Sequence, residues 1–127
     1  MSLYEKYVLP KFLNCTCGSK PITYQRKKVV PHAEGIVLEI GIGSGLNLPF
    51  YDQSKVEKIW GLEPSEALSA MAKQTAEELN LDVGFVSSGA EEIPFCDDYF
   101  DSVLVTYTMC PTPEVIRANL EIKRVLK

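Results

Sequence analysis

The stretch VLEIGIGSGLN, residues 37–47, decides how this chain folds. An apolar run carrying one acid, Glu39, breaks into glycines at positions 41, 43 and 45. A compact run of this kind, Ile36 to Ile40, suits a strand buried on both faces. Alternate glycines admit positive φ and let the backbone approach a ligand closely. The same triplet also suits a plain tight turn, so its neighbours must decide.

Downstream, KIWGLE (Lys58–Glu63) reads as a second strand, and Val83–Ser87 as a third. SVLVTY (Ser102–Tyr107) is rich in β-branched residues and reads as a fourth. Between the second and third, residues 65–80 carry Ala67, Leu68, Met71, Ala72, Ala76 and Leu79 at helical spacing, with Ser65 as the N-cap. Thr112-Pro113 opens another helix, which carries Val115, Ile116, Leu120, Ile122, Val125 and Leu126. Strands alternating with helices imply crossovers and a parallel sheet, an α/β domain whose ligand sits outside the carboxyl ends of the strands.

Upstream, Leu3, Tyr4, Tyr7 and Val8 predict a short amphipathic helix over residues 2–9. Residues 12–24 read as a loop, and 24–31 as a second helix ending near Pro31 to Gly35. The run Arg26-Lys27-Lys28 within it reads as a solvated face. The chain thus divides into an N-terminal helical cap, residues 1–35, and a nucleotide-binding domain, residues 36–127.

Composition narrows the function. Of 127 residues, 46% are apolar and 24% charged, which suits one globular domain. A net charge of −4, without a basic cluster, argues against nucleic acid as the main partner. No stretch approaches the ~18 apolar residues of a membrane span. The N-terminus, with Glu5 and Pro10, makes a poor signal peptide, so the expected compartment is the cytoplasm and the four cysteines are expected as thiols. Cys15 and Cys17 have no second pair at zinc spacing, and no metal is expected. His32, the one histidine, would have to carry any Ser–His or Cys–His engine alone.

The spacing discriminates between cofactors. A dinucleotide fingerprint needs a small residue three places after its second glycine. Here that place holds Leu46, and Asn47 and Pro49 crowd the start of the next helix. Glu39 is a poor neighbour for phosphates and a good one for an ammonium, which disfavours NAD. Glu63, at the end of the second strand and 18 residues after Gly45, is placed to accept hydrogen bonds from ribose hydroxyls.

These residues resemble a class I S-adenosylmethionine-dependent methyltransferase of the type 11 methyltransferase-domain group. LEIGIGSG is similar to that family's glycine motif, GLEPS to its acidic second strand end, and SSGAEEIPFCDDYFDSVLVTYTMC to its third and fourth strand region. The segment Glu121–Lys127 resembles its E-x-x-R-V-L-K. The flanks YEKYVLP and GLNLPFY further resemble the thiol and phospholipid methyltransferase-like branch. The resemblance covers residues 36–127 and implies a Rossmann-like doubly wound parallel sheet, cut short after the fourth strand and its following helix. It implies that Gly41, Gly43 and Gly45 line the methionine part of S-adenosylmethionine, with Glu39 near its ammonium. It implies that Glu63 holds the ribose hydroxyls and Pro64 flanks the adenine. Ala90 and Glu91 would meet the adenine edge, and Thr106 would lie beside the methionine end. Many relatives carry an aspartate where this chain has Gly89, which shifts the adenine contact toward the Ala90 backbone or Glu91.

The cofactor's sulfonium and ammonium suit a site toward which three carboxylates, Glu39, Glu63 and Glu91, are expected to converge. Methyl transfer is an in-line displacement that needs chiefly alignment, so the lack of a catalytic histidine or metal is no objection. The acceptor implied is a small molecule or lipid-like compound. Tyr4, Tyr7 and Tyr107 suit its pocket, and equally suit ordinary packing. No catalytic base is assigned. Two alternatives stand beside the enzyme: an S-adenosylmethionine-binding fragment without catalysis, and a nucleotide-dependent oxidoreductase. With strand order 3-2-1-4-5 and no fifth strand, residues 102–107 would be an open edge that either self-associates or is covered by the remainder of a longer chain, and Phe100 and Val103 to Val105 would lose cover.

Overall fold

In the computed structural model, which describes residues 26–105 and 115–127, the decisive stretch begins as β1, Gly35–Ile40, and residues 37–40 are all buried. β1 pairs in parallel with β2 (Val56–Leu62) on one side and β4 (Ser102–Val105) on the other. β3 (Val83–Val86) pairs in parallel with β2, giving the order β3-β2-β1-β4. Side chains alternate across a strand, so β1 feeds two cores. Val37 joins Ile59, Leu104, Ala72 and Ala76 on one face. Leu38 and Ile40 join Leu62, Phe100, Ala118 and Val125 on the other.

Each core has its own helix, as a doubly wound α/β sheet requires. α1, Glu66–Glu78, starts where Ser65 Oγ accepts the Leu68 amide at 3.3 Å, and buries Leu68, Ala72 and Ala76 one turn apart. α2, Val115–Val125, buries Ala118 and Val125 and half-buries Ile122. The remaining crossovers are not helical. Only a three-residue 3-10 turn, Leu48–Phe50, with Pro49 in it, lies between β1 and β2. β3 returns to β4 through residues 87–101, without a helix.

Several expectations change. Arg26 is not solvated: it is 5% exposed, and its Nη1 donates to Asn47 Oδ1 at 3.1 Å. Lys27 and Lys28 are exposed, as expected of that face. Val30 and Ala33 enter the first core, so this part of the N-terminal segment is built into the domain. Ile116 and Leu120, counted with the apolar face of α2, are 80% and 63% exposed. The helix meets the sheet through Ala118, Ile122 and Val125, which leaves 116 and 120 turned outward. Phe100 keeps its cover. It is fully buried, edge-on to Phe95 and Tyr99, and Lys127 donates its backbone N–H to Phe100 O at 3.0 Å. The other side of β4 has no strand partner among the described residues. The helix over 2–9, the loop over 12–24, Thr112-Pro113, Thr106, and tyrosines 4, 7 and 107 lie outside the described residues.

Glu121 and Arg124 show what the E-x-x-R pattern does. Arg124 donates to the carbonyls of Ile93 and Phe95, both at 2.8 Å, and pairs with Asp97 at 2.8 Å and Glu121 at 2.6 Å. Glu121 in turn accepts the Ile93 amide at 3.0 Å. The two side chains clamp the β3–β4 connection onto α2.

Candidate functional site

Three backbone turns with positive φ carry the chain off the end of β1: +65° at Gly41, +60° at Gly43 and +86° at Gly45. L-residues with a Cβ pay a steric cost there, which is why glycine stands at each. The amides of Gly41 and Ile42 both donate to Leu62 O, at 2.8 and 3.2 Å, tying the loop to the end of β2. Ile42 folds over Gly61, where a Cβ would come within 2.7 Å of its side chain.

The glycines differ in what surrounds them. A Cβ on Gly45 would lie 3.1 Å from Ala72 Cα and 3.0 Å from Leu48 Cδ1. Gly45 is therefore where the loop packs against α1. A Cβ on Gly43 would meet nothing nearer than Gly41 O at 3.8 Å, so that backbone is open to a ligand.

Glu63 follows β2 directly, and Pro64 after it is exposed. The Glu63 backbone is held by the Val86 carbonyl at 3.0 Å. Its Oε1 accepts the Gly43 amide at 3.1 Å and its Oε2 the Ser65 amide at 3.0 Å. Burial raises its pKa from the ordinary carboxylate value, against the lowering effect of those two amides. One carboxylate thus joins the glycine loop to the start of α1.

Glu39 is buried beneath the loop, 1% exposed. Its Oε1 accepts the Tyr51 hydroxyl proton at 2.7 Å, and Oε2 has no hydrogen-bond partner. Burial pushes its pKa up to about 7, with the Tyr51 hydroxyl, the neighbouring Asn47 side chain and the Arg26 guanidinium pulling it down by less. Sequence reasoning missed these companions. In the sequence Asn47 stands out only as crowding the next helix with Pro49, Tyr51 only as the last residue of the GLNLPFY flank, and no periodicity marks Arg26 as buried.

At the end of β3, Ala90 turns its side chain into the second core. Glu91 folds back over Gly89, so that a Cβ at 89 would lie 2.5 Å from Glu91 Oε2. Glu91 Oε1 is buried with no hydrogen-bond partner. An aspartate at 89 would thus compete with Glu91 for space, and this chain supplies a carboxylate there from position 91. The loop, Glu39 and Glu63 form one connected unit, and Glu91 stands on the neighbouring connection after β3.

The residues present fit S-adenosylmethionine. Gly43 leaves room for a ligand, and the unpartnered oxygens of Glu39 and Glu91 call for donors. An open cavity of about 500 Å³ between residues 44–50 and α1 is separate from these acids. It is lined by Leu46, Phe50, Met71, Gln74 and Glu78, with Gly45 the one predicted site residue on its wall.

Comparison with known proteins agrees with this geometry. The family described as "Methyltransferase domain" matches residues 38–127. Over 107 residues the chain is 31% identical to a phosphatidylethanolamine N-methyltransferase of Cereibacter sphaeroides, covering 80% of this chain and 52% of that protein. It is 31% identical over 105 residues to a ubiquinone/menaquinone biosynthesis C-methyltransferase of Rickettsia peacockii, covering 77% and 42%. The chain thus spans about half the length of the curated relatives it matches. Among solved structures, the YcgJ protein of Bacillus subtilis superposes with a TM-score of 0.72 at 30% identity, covering 83% of this chain and 45% of that one. A SAM-dependent methyltransferase from Aquifex aeolicus superposes at 0.77 with 23% identity, covering 93% and 67%, and shows the shared fold. The chain belongs to the methyltransferase-domain family, with the class I Rossmann-like fold and with S-adenosylmethionine as the cofactor this membership implies.

Proposed function

We propose that this chain is the cofactor-binding part of an S-adenosylmethionine-dependent methyltransferase whose acceptor is a small molecule or lipid-like compound. One observation carries the reading: Glu63 is bonded to the open Gly43 backbone at the carboxyl ends of the parallel strands. When bound, the cofactor supplies a methyl group on a sulfonium. Gly41 and Gly43 give its methionine end close backbone contact, and Glu39 faces its ammonium. Glu63 takes the ribose hydroxyls on its remaining lone pairs, with Pro64 beside the adenine and Glu91 at the adenine edge. In this reading Thr106 is assigned to the methionine end, and the N-terminal segment is assigned to a cap, apart from Val30 and Ala33, which belong to the core. The protein's contribution is alignment and exclusion of water, which in-line displacement chiefly needs.

The names of two relatives, acting on phosphatidylethanolamine and in ubiquinone/menaquinone biosynthesis, support a lipid-like acceptor. A second reading, a cofactor-binding piece without catalysis, is favoured by the half-length match. Calorimetry with S-adenosylmethionine, S-adenosylhomocysteine and NADH tests the first. Saturable binding of both S-adenosyl compounds and none of NADH is expected. Binding of NADH alone would replace this reading with the oxidoreductase. Methyl transfer from labelled cofactor to phosphatidylethanolamine vesicles or to a quinol precursor separates enzyme from binding piece.

A further inference from the structure

The loop from Gly41 to Tyr51 arches away from β1 and returns so that the Tyr51 hydroxyl meets Glu39 at 2.7 Å. The arch encloses a carboxyl group with one oxygen satisfied and the other without a partner. On the flanking strands the residues in register with Glu39 are Gly61 and Leu104, which offer neither charge nor side-chain hydrogen bond. Among the described residues, the titratable or charged groups acting on it are Tyr51, on the arch, and Arg26, from the helical turn at 26–29. Asn47, which accepts from Arg26, is neutral and also favours the ionised carboxyl through its side chain, while Oε2 keeps no donor within hydrogen-bond distance. The Arg26 guanidinium offsets the burial of this carboxyl only in part.

Resting on the reading that S-adenosylmethionine binds this loop, we infer that cofactor binding is coupled to release of a proton from Glu39, with Tyr51 as the positioning residue. In the free protein the carboxyl group holds its proton over part of the neutral range. When the amino-acid end of the cofactor enters, the Glu39 O–H bond breaks and the proton passes to solvent. The carboxylate then accepts an N–H of the ammonium on Oε2, while Tyr51 keeps Oε1 fixed. No other reactant is needed. The raised pKa of Glu39, about 7, sets the window. Below it the proton must be displaced, and above it the site is already ionised. Affinity for a ligand carrying the ammonium therefore rises with pH, about tenfold between pH 6 and pH 8, and then levels.

Calorimetry of the whole protein in buffers of different ionisation enthalpy counts the protons directly. S-adenosylhomocysteine, which keeps the ammonium, is expected to release most of a proton at pH 6 and little at pH 8. 5′-Methylthioadenosine, which lacks the amino-acid end, is expected to release none and to bind equally at both. Glu39→Gln should abolish the release and flatten the profile. Tyr51→Phe should move the midpoint to higher pH, because the hydroxyl favours the ionised carboxyl; loss of packing alone would leave the midpoint in place. Equal proton release by the two ligands, or release that survives Glu39→Gln, overturns the coupling while leaving the cofactor reading intact. Failure of both ligands to bind overturns the cofactor reading and the coupling with it.

Discussion

Glu63 holds Gly43: the carboxylate at the end of β2 accepts the amide of the central loop glycine at 3.1 Å, and its other oxygen caps Ser65 at the start of α1. The acid proposed to meet the ribose also shapes the loop beside it. Removing it should therefore act twice.

A hydrogen bond to a charged group is worth about 1.5–3 kcal/mol, so Glu63→Ala should weaken S-adenosylhomocysteine binding by roughly 10- to 100-fold. It should also lower the melting temperature, since two backbone amides lose their acceptor. Glu66→Ala, on the exposed first turn of α1, should leave affinity nearly unchanged. Titrations of both variants check this, and equal losses would reduce Glu63 to a structural role.

Gly43 and Gly45 should separate ligand binding from folding. Both have positive φ, so alanine at either incurs roughly 1–2 kcal/mol of backbone strain. At Gly45 the new methyl also presses on Ala72 and Leu48, and overpacking of this kind costs about 1–3 kcal/mol more. Urea melts should find Gly45→Ala clearly the less stable. Gly43→Ala should fold and lose affinity, because its methyl points into open space.

Glu39 predicts the pH dependence of the free protein. Its folded pKa, about 7, exceeds the ordinary 4.5. The folded state therefore binds the proton more tightly. Its contribution is fully present below pH 4.5 and is lost as pH rises through 7, on the order of 3 kcal/mol in all. Glu39→Gln keeps a group able to accept from Tyr51 and cannot ionise. Its stability should fall less than the parent's between pH 5 and pH 8, which denaturation at the two values measures.

Arg124 should matter for stability in the opposite pH direction. The guanidinium beside Glu121 holds that carboxyl below the usual range, with the Ile93 amide assisting. The contribution of this group is present above the ordinary carboxylate pKa and is lost as pH falls through the lowered value. Arg124→Ala should lower the melting temperature and weaken this acid dependence. Arg124→Lys should recover little, because an ammonium cannot reproduce the fork to two carbonyls and two carboxylates. Thermal melts at pH 4 and pH 7 decide it.

The strands were legible because each carries a local signature: β1 its two-faced apolar run, β4 its β-branched residues, α1 its spacing and Ser65 cap. What escaped depends on distant partners. Nothing around Arg26 announces that it meets Asn47, or that Tyr51 returns to Glu39. Apolar residues at 116 and 120 look like core until the sheet shows which face α2 turns to it. The expected loss of cover at Phe100 overlooked the C-terminal residues that fold back beside it, joined by a parallel bridge to Leu126. The positions of Gly43, Glu39 and Glu63 at the strand ends follow from the motif. The division of labour between Gly43 and Gly45 required the packing of α1.

β4 provides the last prediction. Its backbone is paired with β1 on one side and with no strand on the other among the described residues. Val103 and Val105 are half-buried, and α2 nearby in sequence exposes Ile116 and Leu120. An unpaired parallel strand in an apolar setting recruits another strand. The 127 residues are therefore expected either to self-associate through residues 102–105, isologously if the product is a two-fold dimer, or to have this edge covered by the remainder of a longer chain. Light scattering after gel filtration should give a mass above that of one chain, falling on dilution. Hydrogen exchange of the outward β4 amides should slow as concentration rises, while the amides of β1 stay protected throughout. A stable monomer with freely exchanging β4 amides would show that this edge tolerates water, and would remove the basis for pairing.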